Sequence, residues 1–332
     1  MSTVSSGSGT KKKQVVICRC HDPSPAAAQR VARWAADCES FGVDFIVSLD
    51  NTHAFRESSA ERRSKKRKRE VATSDGNFRC GASHISPPAV SPTYRLQRAF
   101  AAEQGVTKTV VIHRYTEEEL LKTFPRLKDL QRYLIEDLKV REMVSRQNTL
   151  AWGFHVEALA LWWQKKNSPY KMCGKRDYDY VWVLEDDVGI TTSISTLLES
   201  YENEDADLIT DGIKQNSTDW YWKEVHTQNF FAEVGVENKK KVVSKEHVQR
   251  LSCKLMEKLC FLSMERGVHC WSEAFTSTVA HCTKEMRVVG FQPQHLGDPF
   301  KWNGRVSEEE WEKILAEENG STDPKLYHAL KF

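Results

Sequence analysis

Apolar positions in the first fifty residues fall into two short blocks separated by an amphipathic stretch. Residues 15–20 form a compact apolar run with the character of a strand, closed by His21-Asp-Pro-Ser-Pro25. Residues 26–40 place Val31, Trp34 and Ala35 on one side of a predicted helix, and Gly42 stops it. Residues 43–49 form a second strand ending at Asp50-Asn51-Thr52. Strand, helix and strand in this order predict a βαβ unit, hence a parallel sheet with a right-handed crossover. The pattern lapses over 55–90, read as a flexible surface insertion, and resumes with a strand at 109–113.

Further along, helical periodicity covers 117–121 and then 127 to about 144, with leucines at 127, 130 and 134. A Trp-rich helix with little polar surface is expected at 148–165, packed against the sheet. Residues 180–184 read as a strand covered on both faces. A helix at 193–201 and a strand at 206–210 come next, and 217–234 is aromatic and irregular. The pattern then predicts 242–244 leading into an amphipathic helix at 247–266, ended by Gly267. A Ser/Thr/Ala segment precedes a late strand at 287–291, and 292–305 reads as a Gly/Pro/His loop. One last helix is expected at 307–317, with Ser307 as N-cap and Glu310 completing a capping box. No internal repeat is visible.

Composition narrows the class without choosing a function. At 332 residues, 40% hydrophobic and 28% charged, the chain suits one large α/β domain or two smaller ones. A formal net charge of +2 does not by itself point to nucleic acid. No apolar run approaches the roughly 18 residues of a membrane span. The stretch after the Ser/Gly-rich and basic leader is too short for a signal-peptide core. The expected compartment is therefore the cytoplasm, with the Golgi or secretory pathway the alternative if the N-terminus is incomplete. Nine cysteines form no evenly spaced framework, so reduced thiols are expected. Cys18-Arg-Cys20-His21 has no matching CxxC elsewhere to make a zinc site.

The chemistry concentrates at 179–187, Asp-Tyr-Val-Trp-Val-Leu-Glu-Asp-Asp, where three carboxylates arrive together at a strand end. Adjacent acids repel one another, and a fold that gathers them usually gives them a cation. The carboxyl ends of parallel strands are also where open α/β sheets bind ligands. The expectation is a divalent-metal site serving a phosphorylated substrate. The plainer alternative is acids that end a strand or cap the helix beginning near Thr191.

A βαβ opening with acids at its strand ends, followed after more than a hundred residues by strand–Glu185-Asp186-Asp187, resembles the nucleotide-sugar glycosyltransferases of the GT-A fold. The resemblance rests on 15–52 and 178–211, with a weaker echo over 242–297. It implies an α/β, Rossmann-like, mixed but mostly parallel sheet flanked by helices. The implied catalytic domain spans 14–305, with a nucleotide-binding part at about 14–211 and an acceptor part at about 212–305. Residues 1–13 would be a leader and 306–332 a C-terminal helix and tail.

Mn²⁺ or Mg²⁺ would offset the charge of a departing nucleoside diphosphate. By resemblance, Asp187 would be the direct metal ligand, with a late His, His295, adding a further contact. Glu185 and Asp186 would hold ribose, sugar hydroxyls or metal-bound water. Asp50 would meet the nucleotide base, and His21 and Asp22 lie where the first loop reaches it. Glu273, in His269-Cys-Trp-Ser-Glu273, would be the general base of an inverting transfer to a glycan, glycoprotein or small hydroxyl acceptor. Trp220, Trp222 and Trp271 are either sugar-stacking or core residues.

Two other readings stay open on the residues alone. A nucleotidyltransferase can share this sheet and metal chemistry, but it would normally show a Gly-rich phosphate loop after the first strand, and 18–24 has none. The basic run at 62–69 could instead serve nuclear targeting, through 65–69, or a nucleic-acid-associated protein without catalysis. No stacking aromatics are interleaved with it.

Overall fold

The structure is a computed structural model of the full chain and describes residues 12–51, 91–136, 153–166, 177–215, 222, 224–236, 241–300 and 305–332. The basic run at 62–69 and the continuation of the leucine-patterned helix to 144 lie outside the described residues.

The opening βαβ unit forms where its pattern places it. β1 (Gln14–Cys20) leads through a turn into α1 (Pro25–Phe41), and β2 (Asp44–Asp50) follows. Ser24 caps α1 by accepting from the Ala27 amide, and Pro25 occupies the first helical position. Gly42, at φ 76°, ends the helix in the left-handed conformation that suits glycine. After α2 (Pro92–Ala102) come β3 (Val111–Tyr115), α3 (Glu117–Thr123), α4 (Leu127–Glu136) and α5 (His155–Lys166). β4 (Tyr180–Glu185) is the acid-tipped strand, followed by β5 (Gly189–Ile190), α6 (Ile194–Ser200), β6 (Leu208–Gln215) and α7 (Phe230–Val234).

β1 pairs in parallel with β2 on one side and β4 on the other, and β3 extends the sheet beyond β2. Alternate residues of the central strands serve opposite faces. Val16, Cys18, Trp182 and Leu184 join α1 and α6 in one core, while Val15, Ile17, Val181 and Val183 join α5 in another. Each such fully buried side chain stabilises the fold by about 1.5–3 kcal/mol. Burial on both faces explains why these strands read as continuous apolar runs.

The segment expected as a helix from 247 is instead β7 (Val242–Ser252), an eleven-residue strand. It lies antiparallel between β4 and β6, with almost every position buried. Pairing on both edges overrides the local helical pattern, which survives only in α8 (Cys253–Cys260) and the π turn at Phe261–Glu265. Ser252 begins α8 by accepting from the Leu255 amide.

The unassigned Ser/Thr/Ala segment becomes α9 (Ser272–Cys282). Its polar side chains are buried and bonded, Ser277 to Ser244 and Thr278 to the backbone of Val242, so it carries no polar stripe for periodicity to reveal. β8 (Val288–Gly290) pairs in parallel with β6 and completes the order β3-β2-β1-β4-β7-β6-β8. Among the described residues this is a seven-stranded sheet, mixed but mostly parallel and flanked by helices, as the sequence resemblance implies.

The expected loop at 292–305 contains a 3-10 turn (Pro293–His295) and β9 (Leu296–Phe300). α10 (Glu308–Glu317) has both halves of the Ser307–Glu310 capping box. The tail then forms β10 (Leu326–His328), which enters a small sheet between β5 and β9. A Cβ on Gly297 would stand 2.3 Å from the Tyr327 ring, so β10 can seat this closely only beside glycine.

His113 on β3 buries both ring nitrogens without a hydrogen-bond partner among the described residues. Burial, reinforced by the Lys165 charge, lowers its pKa to about 4. The folded protein therefore holds a neutral imidazole where the unfolded chain protonates near pH 6.5. This contribution to stability is present above pH 6.5 and is lost as pH falls toward 4. The denaturation midpoint should drop across that window, and His113→Phe should flatten the drop when both proteins are titrated in parallel.

Candidate metal centre

The carboxyl ends of β1, β2 and β4 lie at one edge of the sheet, and antiparallel β7 passes the same edge with Glu246 and His247. The β1–β4 register sets Arg19 opposite Glu185. Because Leu184 pairs with Val248, His247 follows at the level of Glu185. β10 brings His328 from the small sheet, since β5 begins two residues beyond Asp187 and pairs antiparallel with β10.

The three acids diverge. Glu185 Oε2 lies 2.7 Å from His247 Nδ1 and 3.3 Å from His328 Nε2, while Glu185 Oε1 accepts from Arg19 Nη2 at 3.0 Å. Asp187 Oδ1 lies 3.4 Å from the same His328 Nε2, and its Oδ2 accepts from Lys331. Asp186 turns the other way, toward the Cys20 thiol, and its carbonyl accepts from Arg30 Nη2 at 2.6 Å and Nε at 3.1 Å. Glu185 and Asp187 therefore both face His328 Nε2, on the side away from Asp186.

Electrostatics separate them in the same way. Burial, with the Asp187 charge added, raises the Asp186 pKa to about 7. For Glu185, burial alone would raise it, but His247 and Arg19 outweigh that and hold it well below the ordinary range. Asp187 is lowered too, its hydrogen bond from His328 overcoming desolvation. Burial would lower His328, yet hydrogen bonds to Asp187 and Glu185 raise it to about 9. His247 is lowered by burial, against the pull of Glu185.

The two imidazoles stack at 3.4 Å between centroids, tilted by 12°. His247 Nε2 is buried with no hydrogen-bond partner among the described residues. Glu185, His247 and His328 can each offer one ligand atom, and these atoms all lie within 4.8 Å of one another. Ligand atoms around one ion bound at about 2.0–2.3 Å fall within that spread. Two imidazoles with a carboxylate suit Mn²⁺, Fe²⁺, Co²⁺ or Zn²⁺ better than Ca²⁺ or Mg²⁺, which favour all-oxygen cages. The residues fit a divalent metal.

Of the residues expected from sequence, Glu185 and Asp187 meet in this cluster. His21 and Asp50 meet beside it, with His21 Nδ1 2.8 Å from Asp50 Oδ2, and Asp50 is buried. Asp22 pairs with Arg95 of α2. His295 is held elsewhere: it is buried, with Nδ1 2.8 Å from the Tyr201 hydroxyl and its ring edge-on to that tyrosine. Glu273 stands half-buried in the first turn of α9. Trp222 and Trp271 are buried and stack on each other at 4.0 Å, a core arrangement, while Trp220 lies outside the described residues.

His247 and His328 were missed by sequence reasoning. The first sat in a segment read as helix. The second sat in the segment 306–332, read as a C-terminal helix and tail, beyond the capped helix at 307–317.

Neither protein-family models nor characterised protein sequences give a match to this chain. Among solved structures, it has a likeness to core-mannan synthase A from Aspergillus fumigatus in a Mn/GDP form. That likeness has 10% identity and a TM-score of 0.36, and covers 87% of this chain and 74% of the other. No helix among the described residues is long and apolar enough to cross a membrane.

Proposed function

We propose that this protein is a metal-dependent glycosyltransferase that moves a sugar from a nucleoside-diphosphate donor to a hydroxyl acceptor. The observation that carries this reading is the convergence of Glu185 and Asp187 with His247 and His328 at the carboxyl edge of a mostly parallel sheet. That edge is where α/β sheets receive nucleotides, and the donor set is one for a divalent cation.

In this reading Asp187, Glu185, His247 and His328 hold the metal. When bound, the ion would offset the negative charge of the leaving diphosphate. Lys331 and Arg30 stand at the same edge, so the diphosphate would meet fixed positive charge from the chain itself. The buried Asp50 orients His21 at the ends of β1 and β2, the side assigned to the nucleoside. Asp186, raised to about 7 by burial, faces the Cys20 thiol and so lies off the metal side. Glu273 takes the acceptor proton, giving inversion.

The direct test is a panel of nucleotide sugars with and without Mn²⁺, reading the free nucleoside diphosphate. Metal-stimulated release from one donor is expected. No release from any donor, with Mn²⁺ failing to bind, would overturn the reading. His328→Ala removes a ligand that touches both carboxylates, so Mn²⁺ affinity measured by calorimetry should fall at least about 10–100-fold, the scale seen even for outer partners of a metal site. Unchanged affinity would place the metal elsewhere.

A further inference from the structure

Resting on the metal reading above, we infer that Arg19 and Glu246 are positioning residues that make Glu185 a one-oxygen metal ligand. Glu185 divides its two oxygens. Oε1 takes the Arg19 Nη2 donor at 3.0 Å, leaving Oε2 to face His247 and His328. A carboxylate free to rotate could chelate through both oxygens, or turn away. The guanidinium excludes both by occupying Oε1.

Arg19 is itself held. Its Nη2 also donates to the Glu246 carbonyl at 2.8 Å, and Nη1 lies 3.7 Å from Glu246 Oε2. That same oxygen is 3.0 Å from His155 Nδ1, at the start of α5. The backbone amide of His155 in turn donates to Ser272 Oγ at 2.7 Å, tying the group to the first residue of α9. The side chains of Arg19 and Glu246 are only 11% and 5% exposed, so water competes little for these bonds.

The arrangement also has a source in the sheet. The β1–β4 register sets Arg19 opposite Glu185, and β7 delivers Glu246 one residue before His247. One strand therefore supplies a metal-facing imidazole and, on its opposite face, the carboxylate that steadies the arginine. Arg19 Nε is buried without a partner among the described residues. That cost is tolerated where the other two guanidinium nitrogens are both engaged.

The experiment measures Mn²⁺ binding by electron paramagnetic resonance and calorimetry on the full chain, with Co²⁺ absorption as the report on ligand geometry. The proteins are the wild type, Arg19→Lys, Glu246→Gln and the charge-free double variant Arg19→Met/Glu246→Leu. The double variant removes both buried partners together, which buried pairs generally tolerate better than the loss of one partner. The expected result is a fall in Mn²⁺ affinity of about 10–100-fold in the double variant, with a changed Co²⁺ spectrum and metal-free unfolding close to wild type. Arg19→Lys should recover only part of the loss, because one ammonium cannot span both carboxylates. Wild-type affinity and an unchanged Co²⁺ spectrum in Arg19→Lys and the double variant would overturn the inference while leaving the metal site intact. Absence of Mn²⁺ binding by the wild type would overturn the metal reading itself.

Discussion

Asp187→Ala is expected to abolish metal-stimulated release of nucleoside diphosphate, lowering turnover by about 10²–10³-fold or more, the usual cost of deleting one group that stabilises transition-state charge. The loss should be chemical rather than a failure to fold. The backbone bond from the Leu330 amide to the Asp187 carbonyl does not depend on the side chain, and the Lys331 partner is half-exposed and easily solvated. Asp187→Asn sharpens the test by keeping shape while removing charge, and it should lose nearly as much. Full activity with intact metal dependence in either variant would end the assignment of Asp187 as a ligand.

Glu273→Gln should lower turnover by about 10²–10⁴-fold if Glu273 is the general base, with donor affinity unchanged. The amide keeps the size and much of the hydrogen bonding of the acid but cannot take a proton. α9 is also anchored at its first residue, where Ser272 Oγ accepts from the amides of His155 and Val156. Comparing transfer to acceptor with donor hydrolysis by water separates the roles. A base for the acceptor hydroxyl predicts that transfer falls while donor binding, read by nucleoside-diphosphate competition, stays level. Equal loss of donor binding would make Glu273 a structural residue.

How far the sequence reached depended on whether local pattern and tertiary context agreed. β1, α1, β2 and β4 were legible because burial on both faces, Ser24, Pro25 and Gly42 all point the same way locally. β7 was not, since its strand character comes from pairing with β4 and β6, which are distant in the chain. α9 hid its helical face because buried serines and threonines on it bond to β7.

The candidate site divides along the same line. Glu185 and Asp187 were visible because a charge cluster after an apolar strand is a local signal, and Asp50 because it ends the second strand. The sequence alone thus determined the acid-tipped α/β framework and the side of the sheet on which chemistry is expected. Among the late histidines the resemblance pointed to His295, and a lone imidazole carries no periodicity by which to weigh it against His247 or His328. Only the tertiary structure turned Asp186 away toward Cys20, seated His295 on Tyr201 and brought His247 and His328 together over Glu185. The last of these needed β10 to cross from the tail and pair with β5, a long-range contact set by backbone hydrogen bonding and the close approach at Gly297.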